Sequence, residues 1–253
     1  WIALLDIAWL LMFSIFLLKR KNYKTDTNLH YLENKKILEP KICVIIPTFN
    51  EEKIVKNVLE DFLNHKNVSK IIMIDNNSTD KTVEIAQKYN VKIIQKKSNT
   101  GLADSVLVGL SESLKTNSNI IAITECDGTF SGVDLDKMIP YCDNCDMVIG
   151  TRQVQVLTDK NNQNSMFYVW GNYLLAKIIQ IKYFSLVNLG IVELTDVGCL
   201  YRCIRKDSLE KIEEKLKGAD ADKIIKNPNS GLIANFLTMI AIENNLKIVE
   251  IPI

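Results

Sequence analysis

Histidine is almost missing from this 253-residue chain: His30 and His65 are the only two. Zinc sites draw on histidine and cysteine, and here Cys142 and Cys145 form a lone C-x-x-C with no second pair to complete four ligands. The six cysteines (Cys43, Cys126, Cys142, Cys145, Cys199 and Cys203) are too sparse for a secreted disulfide scaffold. They read as reduced thiols of a cytosolic domain. An excess of one charge is also lacking. Thirty-one basic residues face 30 acidic ones, leaving a net charge of +1 and no basic field for nucleic acid. No internal repeat or low-complexity tract is present.

Long apolar runs are scarce, and one opens the chain. "WIALLDIAWLLMFSIFLL" carries a single charge, Asp6, and then meets "KRKNYK". Eighteen apolar residues are just enough to span a bilayer. A signal peptide would place its positive charge before the run, not after it. Residues 1–18 are therefore expected to form a transmembrane helix, with the following basic cluster holding the rest of the chain on the cytoplasmic side. The alternative is a buried helix of a soluble protein. The first residue is Trp1, and the chain reads as part of a longer protein. Residues 19–40 are polar and lack periodicity, as expected of a linker, and end at Pro40.

From residue 41 to residue 253 an alternation runs. "KICVIIP", "KIIMID", "VKIIQ", "NIIAIT" and "DMVIG" are short β-branched runs that predict buried strands. Between them lie amphipathic stretches. "EEKIVKNVLEDFLNH" places Ile54, Val55, Val58, Leu59, Phe62 and Leu63 on one helical face. "STDKTVEIAQKYN" predicts a helix capped by Ser78 or Thr79, and "GLADSVLVGLSESLK" another. This order predicts an α/β fold with a mainly parallel sheet covered by helices on both faces. Beyond residue 150, "MFYVWGNYLLAKIIQIKYF" predicts a long helix, in the core or along a membrane surface. "TDVGCLYRCIRKDSL" contains a strand and a helix start. "SGLIANFLTMIAIENN" predicts a helix capped by Ser230, and "LKIVEIPI" a last strand.

Ligands of such sheets bind at the carboxyl ends of the strands. Those ends read Pro47-Thr48-Phe49-Asn50-Glu51, Asp75-Asn76-Asn77 and Glu125-Cys126-Asp127. In extended backbone, Glu125 and Asp127 face the same side. Two carboxylates that close repel unless a cation lies between them, and divalent cations prefer oxygen ligands. Gly128 lets the chain turn behind them. A solvated loop with two unrelated acids is the plain alternative. Asp75 suits a base or ribose contact, or merely an Asx-turn. Glu51 suits the same crevice, or merely a helix N-terminus.

"VIIPTFNEE", "MIDNNSTDKT", "TECDGTF" and "VIGTR" together resemble the family 2 glycosyltransferases, over about residues 41–205. The likeness is greatest to the branch of dolichyl- and polyprenyl-phosphate sugar synthases. It implies a GT-A fold, with a Rossmann-like nucleotide-binding half, that binds a nucleotide sugar and a divalent cation, Mg or Mn. It implies that Pro47, Thr48, Asn50, Glu51 and Asp75 line the nucleotide pocket. Asn99 and Gly101 match the N-x-G opening the third helix, where Leu102 stands in place of a frequent lysine. Glu125-Cys126-Asp127 occupies the D-x-D metal position, with Asp127 the expected ligand and Glu125 assisting. Asn76 and Asn77 depart from the family's D-D-G-S turn. Arg152 matches the arginine of "GTR", and Asp196 to Arg202 resembles D-x-x-S-G-F-R, so Arg152 and Arg202 are expected to meet an acceptor phosphate. Asp196 is the candidate base for a hydroxyl acceptor. Arg205 is assigned to an ion pair.

The resemblance implies inverting transfer of a sugar from a UDP- or GDP-sugar to a lipid phosphate at the membrane. A sugar hydroxyl of a growing glycan is the alternative acceptor. Two other classes compete: a nucleotidyltransferase, which would show a glycine-rich basic loop where this chain has "PTFNEE", and an inactive sugar-nucleotide binder.

Overall fold

In "ICVIIPT", Ile42–Thr48, every residue is buried, and this strand, β1, runs through the middle of a sheet. Its lack of polar alternation follows from having helices on both faces. The computed structural model describes residues 2–19, 35–151, 166–183, 194–226 and 232–253. Among them, β2 spans Val68–Asp75, β3 Lys92–Gln95, β4 Ile120–Ile123, β5 Met147–Thr151, β6 Arg202–Arg205 and β7 Ile248–Pro252. The helices are α1 Ile2–Lys19, α2 Val55–Leu63, α3 Thr82–Ala86, α4 Gly101–Ser113, α5 Leu135–Met138, α6 Met166–Lys182, α7 Lys206–Leu216, α8 Ala219–Ile225 and α9 Leu232–Glu243.

The seven strands lie in the order β3-β2-β1-β4-β6-β5-β7. Pairings β3–β2, β2–β1, β1–β4 and β5–β7 are parallel. Strand β6 runs antiparallel to both β4 and β5, which makes the sheet mixed. The chain enters β6 from the edge at which the other strands end. The segment before β6 therefore lies beside the carboxyl ends of β4 and β5.

Helix α2 buries Val55, Val58, Leu59 and Phe62, the face its spacing predicts. Helix α4 crosses β1 so closely that a Cβ on Gly109 would lie 2.3 Å from Ile45 Cγ2. Helix α3 is shorter than expected, and Lys81, not Ser78 or Thr79, stands at its N-cap without a side-chain bond. Both hydroxyl residues are drawn to Asn50 instead. The predicted cap Ser230 lies outside the described residues.

The N-terminal expectation is met as far as the helix itself. Helix α1 forms over Ile2–Lys19, yet no helix among the described residues is long and apolar enough to cross a membrane. Asp6 falls within α1. Leu4, Ile7, Leu10 and Leu11 are exposed on it. Helix α6 buries Ala176 and Ile179 in a second small core with Tyr183, Leu194, Val197 and Ile242. Its other side exposes Trp170, Tyr173 and Leu174.

Candidate active site

Two loops close the first wall of the site. Thr48 and Asp75 are in register at the ends of β1 and β2, and the loops that follow them zip together. Asn50, at φ 56°, donates its backbone N–H to Ser78 Oγ (2.9 Å) and accepts Thr79 N at its own Oδ1 (2.8 Å). Glu51 N donates to Thr82 Oγ1 at 2.7 Å. Asparagine tolerates the left-handed region because its short amide bonds to nearby backbone. Asp75 is 1% exposed, and its carboxylate accepts Ser78 N at 3.2 and 3.3 Å. It thus forms the Asx-type turn that was its plainer alternative.

Asn76, rather than Asp75, lines the cavity. Its Nδ2 donates to Asn99 Oδ1 (2.7 Å), its Oδ1 accepts Thr100 N (3.0 Å), and Gly101 N donates to Asn99 Oδ1 (3.0 Å). The substitution that departs from the family turn therefore ties the end of β2 to the start of α4. Gly101 has φ 90°, a conformation open to glycine. Leu102 lines the cavity where the resemblance implied a lysine. A cation arrives by another route: Lys96, just past β3, places Nζ 2.6 Å from Asp104 Oδ2 and 3.0 Å from Ser105 Oγ in the first turn of α4. Burial pushes the Asp104 carboxyl up, but the bonds to Lys96 and Thr100 outweigh it and hold the group below its ordinary value. Lys96 carries no local signal in the sequence, because its partners lie eight and nine positions on.

The carboxylates form the floor. Strand β4 ends at Ile123, so Glu125 and Asp127 lie just beyond the fourth strand, as expected, on the loop that follows it. Gly128 turns the chain at φ 77° with Ile54 packed 3.1 Å from where a Cβ would sit. Asp127 Oδ1 accepts Thr129 N at 2.9 Å, which fixes the orientation of that carboxylate. Glu51, Glu125 and Asp127 all line one cavity of about 450 Å³ with Pro47, Thr48, Asn76, Asn99 and Gly101. Partial burial, then the charges of Asp127 and Asp80, hold the Glu51 carboxyl above its ordinary value. Burial pushes the Cys126 thiol up to about 12, against a hydrogen bond with Thr48. It is no thiolate ligand at neutral pH.

Acidic oxygens converging on one cavity, with mutual repulsion visible at Glu51, suit a hard divalent cation. No cluster of three or more metal-ligating side chains occurs among the described residues. Mg-type sites are commonly held by one or two carboxylates and completed by substrate phosphates. Asp127 and Glu125 fit that arrangement.

The third wall corrects an expectation. Arg202 is 0% exposed. Its Nε donates to Cys199 O (2.9 Å), its Nη2 to Val197 O (3.1 Å) and its Nη1 to Thr238 Oγ1 (2.8 Å). Burial pulls the guanidinium down to about 10, partly offset by the charges of Cys199, Asp196 and Glu250, so it stays protonated at neutral pH. It grips protein carbonyls, not an acceptor phosphate. Asp196 is also 0% exposed, beside that guanidinium, where no hydroxyl acceptor reaches it. Arg205 makes its expected ion pair with Asp207 at 3.0 Å. Arg152 lies outside the described residues. Glu250 was not singled out from the sequence. Its carboxylate accepts Thr195 N (2.8 Å), Thr195 Oγ1 (2.6 Å) and Asp196 N (3.2 Å).

Comparison with known proteins agrees with this geometry. The profile of glycosyl transferase family 2 matches residues 43–213. A UDP-N-acetylglucosamine–dolichyl-phosphate N-acetylglucosaminyltransferase of Methanococcus voltae is 28% identical, over 84% of each chain. A polyprenol monophosphomannose synthase of Mycolicibacterium smegmatis is 26% identical, over 83% of this chain and 75% of its own. Among solved structures, glucosyl-3-phosphoglycerate synthase from Mycobacterium tuberculosis, in complex with Mn2+, UDP and glucosyl-3-phosphoglycerate, superposes with a TM-score of 0.54 at 14% identity. That match covers 92% of this chain and 76% of the other. At that identity the likeness speaks for the GT-A fold.

Proposed function

The chain belongs to glycosyl transferase family 2, and from that premise we propose that it moves a sugar, with inversion, from a UDP- or GDP-sugar to a polyprenyl or dolichyl phosphate. The observation that carries this reading is the convergence of Glu51, Glu125, Asp127 and the Asn76–Asn99 pair on one cavity at the carboxyl edge of the sheet.

The zipped loops after β1 and β2 give the nucleoside a rigid wall, which lowers the cost of ordering it. The start of α4 lines the cavity with Gly101, Leu102 and Ser105, and its N-terminal end favours the negative charge of a diphosphate there. Asp127 and Glu125 would hold a divalent cation, Mg or Mn, which when bound supplies a Lewis acid against the charge growing on the leaving β-phosphate. An oxygen of the lipid phosphate attacks the anomeric carbon, the bond from that carbon to the β-phosphate oxygen breaks, and a nucleoside diphosphate leaves. The lipid phosphate is already an anion, so no proton need be removed from it. The burial of Asp196 beside Arg202 supports this acceptor, because a sugar hydroxyl would need a general base and Asp196 is enclosed. With Arg202 enclosed as well, Arg152 is the remaining candidate to meet the acceptor phosphate. In this reading residues 41–253 form the transferase domain, following an N-terminal helix and a linker over residues 19–40.

Two relatives named for dolichyl-phosphate and polyprenol products support a membrane-dwelling acceptor. Exposed apolar side chains on α1 and on the Trp170–Leu174 side of α6 support association of the chain with the cytoplasmic membrane face. The test is product analysis. The chain is incubated with polyprenyl phosphate, Mn2+ or Mg2+, and a panel of UDP- and GDP-sugars. A glycosyl-phosphoryl lipid and a nucleoside diphosphate are expected from one donor class. Release of pyrophosphate from a nucleoside triphosphate, without sugar transfer, would overturn the reading.

A further inference from the structure

Strand β5 separates two charged side chains that act on the same loop. Ile149 is paired with Arg202 of β6 on one side and with Glu250 of β7 on the other. The two residues thus sit at one level of the sheet, two strand spacings apart. Both reach the segment Thr195–Cys199, which lies just before β6 at the carboxyl edge. Glu250 takes its backbone from the amide side, accepting Thr195 N and Asp196 N. Arg202 takes it from the carbonyl side, donating to Val197 O and Cys199 O.

The grip is specific in its chemistry. A carboxylate only accepts and a guanidinium only donates, so each meets the half of the peptide that suits its charge. Charge-assisted bonds are about twice as strong as neutral ones. The loop is also seated from below. A Cβ on Gly198 would lie 2.6 Å from Asn172 Oδ1 of α6, so the amide of Asn172 packs against the loop backbone there. At its far end the loop continues into Tyr201, which stacks on Phe130 of the segment that follows Asp127. At its near end Thr195 Oγ1 lies 3.1 Å from Thr151 Oγ1, at the end of β5.

We propose that Glu250, with Arg202 opposite it, is a positioning residue that holds the Thr195–Tyr201 segment as the acceptor-side wall of the site. Neither residue touches substrate. Glu250 acts through Thr195 and Asp196, and Arg202 through Val197 and Cys199. The donor wall is built from other elements, the ends of β1 and β2 and the start of α4. The consequence for turnover rests on the transferase reading above; the clamp itself does not.

Glu250→Gln tests it, because an amide keeps the shape but replaces one accepting oxygen with a donor. The expected result is a split. The Kd for UDP or GDP with Mn2+ stays within about twofold, while kcat/KM for polyprenyl phosphate falls about 10- to 100-fold, as misplacement of an aligned group does. Thr195→Val, which leaves every charge in place, gives the same split at about fivefold, from the loss of the hydroxyl's bonds to Glu250 and Thr151. It serves where the Gln variant folds poorly. Unchanged transfer in both variants, or donor Kd weakening in step with transfer, overturns the proposal. If the parent chain makes no glycosyl lipid from any donor, the transferase reading fails, and amide exchange then decides the clamp. Faster exchange at Thr195 and Asp196 in Glu250→Gln, with Asn76 and Thr100 unchanged, supports it. Unaltered exchange at all four sinks it.

Discussion

The ring of Tyr201 lies on that of Phe130, with centroids 5.0 Å apart and planes inclined by 21°. The pair joins the segment before β6 to the segment after the carboxylates. The Tyr201 hydroxyl extends the link by donating to Ser131 O at 2.9 Å. Phe62 of α2 meets the same ring edge-on at 6.3 Å. Burial holds the phenol far above its ordinary value, so Tyr201 stays a neutral donor at any working pH. The segment before β6 is thereby fixed to the loop that carries the carboxylates through one side chain.

Tyr201→Phe keeps the stack and removes the hydroxyl. Its loss leaves Ser131 O short of one bond, costing about 1 kcal/mol and lowering Tm by about 2–4 °C for a chain of this size. Tyr201→Leu removes the aromatic pairing as well, adding about 0.5–1.5 kcal/mol. Thermal denaturation followed by circular dichroism reads both. A Tyr201→Leu variant as stable as Tyr201→Phe would show that the stack contributes nothing.

Gly109→Ala is expected to destabilise the chain although alanine is the better helix former. The new Cβ would lie 2.3 Å from Ile45 Cγ2 and 3.4 Å from Ile74 Cγ1, both in fully buried side chains. Overpacking of this kind costs about 1–3 kcal/mol. Because Ile45 supplies the clash, Gly109→Ala and Ile45→Ala should couple in a double-mutant cycle. Urea denaturation of the four chains measures the coupling, and additive costs would refute the close approach.

How much of this was legible beforehand depended on distance along the chain. The strands and the face of α2 were readable because burial on a sheet or a helix stripe repeats locally: Ile42 to Thr48 and Val55 to Phe62 declare themselves. Strand ends and family motifs also mark Glu51, Asn99, Gly101, Glu125 and Asp127, which line one cavity. The direction of β6 was not readable, as four residues fit either sense of pairing. Lys96 and Glu250 were missed for a related reason. Glu250 meets Thr195 across 55 positions, and nothing in "LKIVEIPI" announces an acceptor for a distant loop. Arg202 was misassigned because a motif arginine looks alike whether it faces a phosphate or three protein oxygens.

Glu51 makes stability depend on pH. Partial burial, followed by the charges of Asp127 and Asp80, raises its carboxyl above the ordinary 4.5. The folded chain then holds this proton more tightly than the unfolded chain. As pH climbs past 4.5 the unfolded state releases its proton first, so stability falls until the raised folded value is passed, and levels off above it. Glu51→Gln removes that fall. Its Tm relative to the parent should therefore rise as pH climbs past 4.5. A difference that stays flat as pH climbs would mean that the Glu51 carboxyl is not raised in the folded chain.

Asp127 and Glu125 should prove unequal. Asp127 has a short side chain, a glycine at φ 77° behind it, and one oxygen tied to Thr129 N, so its carboxylate is held in one orientation. Glu125 is longer and loses more rotamer freedom on being ordered. A cation in the cavity is therefore expected to depend mainly on Asp127. Asp127→Asn keeps the size and the Thr129 bond but removes the charge. Titration calorimetry of Mn2+ with UDP or GDP should show coupled binding in the parent and its loss in Asp127→Asn, with transfer falling about 100- to 1,000-fold, the scale for removing one electrostatic stabiliser of the transition state. Glu125→Gln should weaken the same binding by about tenfold, the effect of about 1.4 kcal/mol. In Asp127→Asn the Glu51 carboxyl also loses a repulsive neighbour, so its share of the pH dependence should shrink. If Asp127→Asn kept the parent's Mn2+ affinity while Glu125→Gln lost it, the two carboxylates would have to exchange roles.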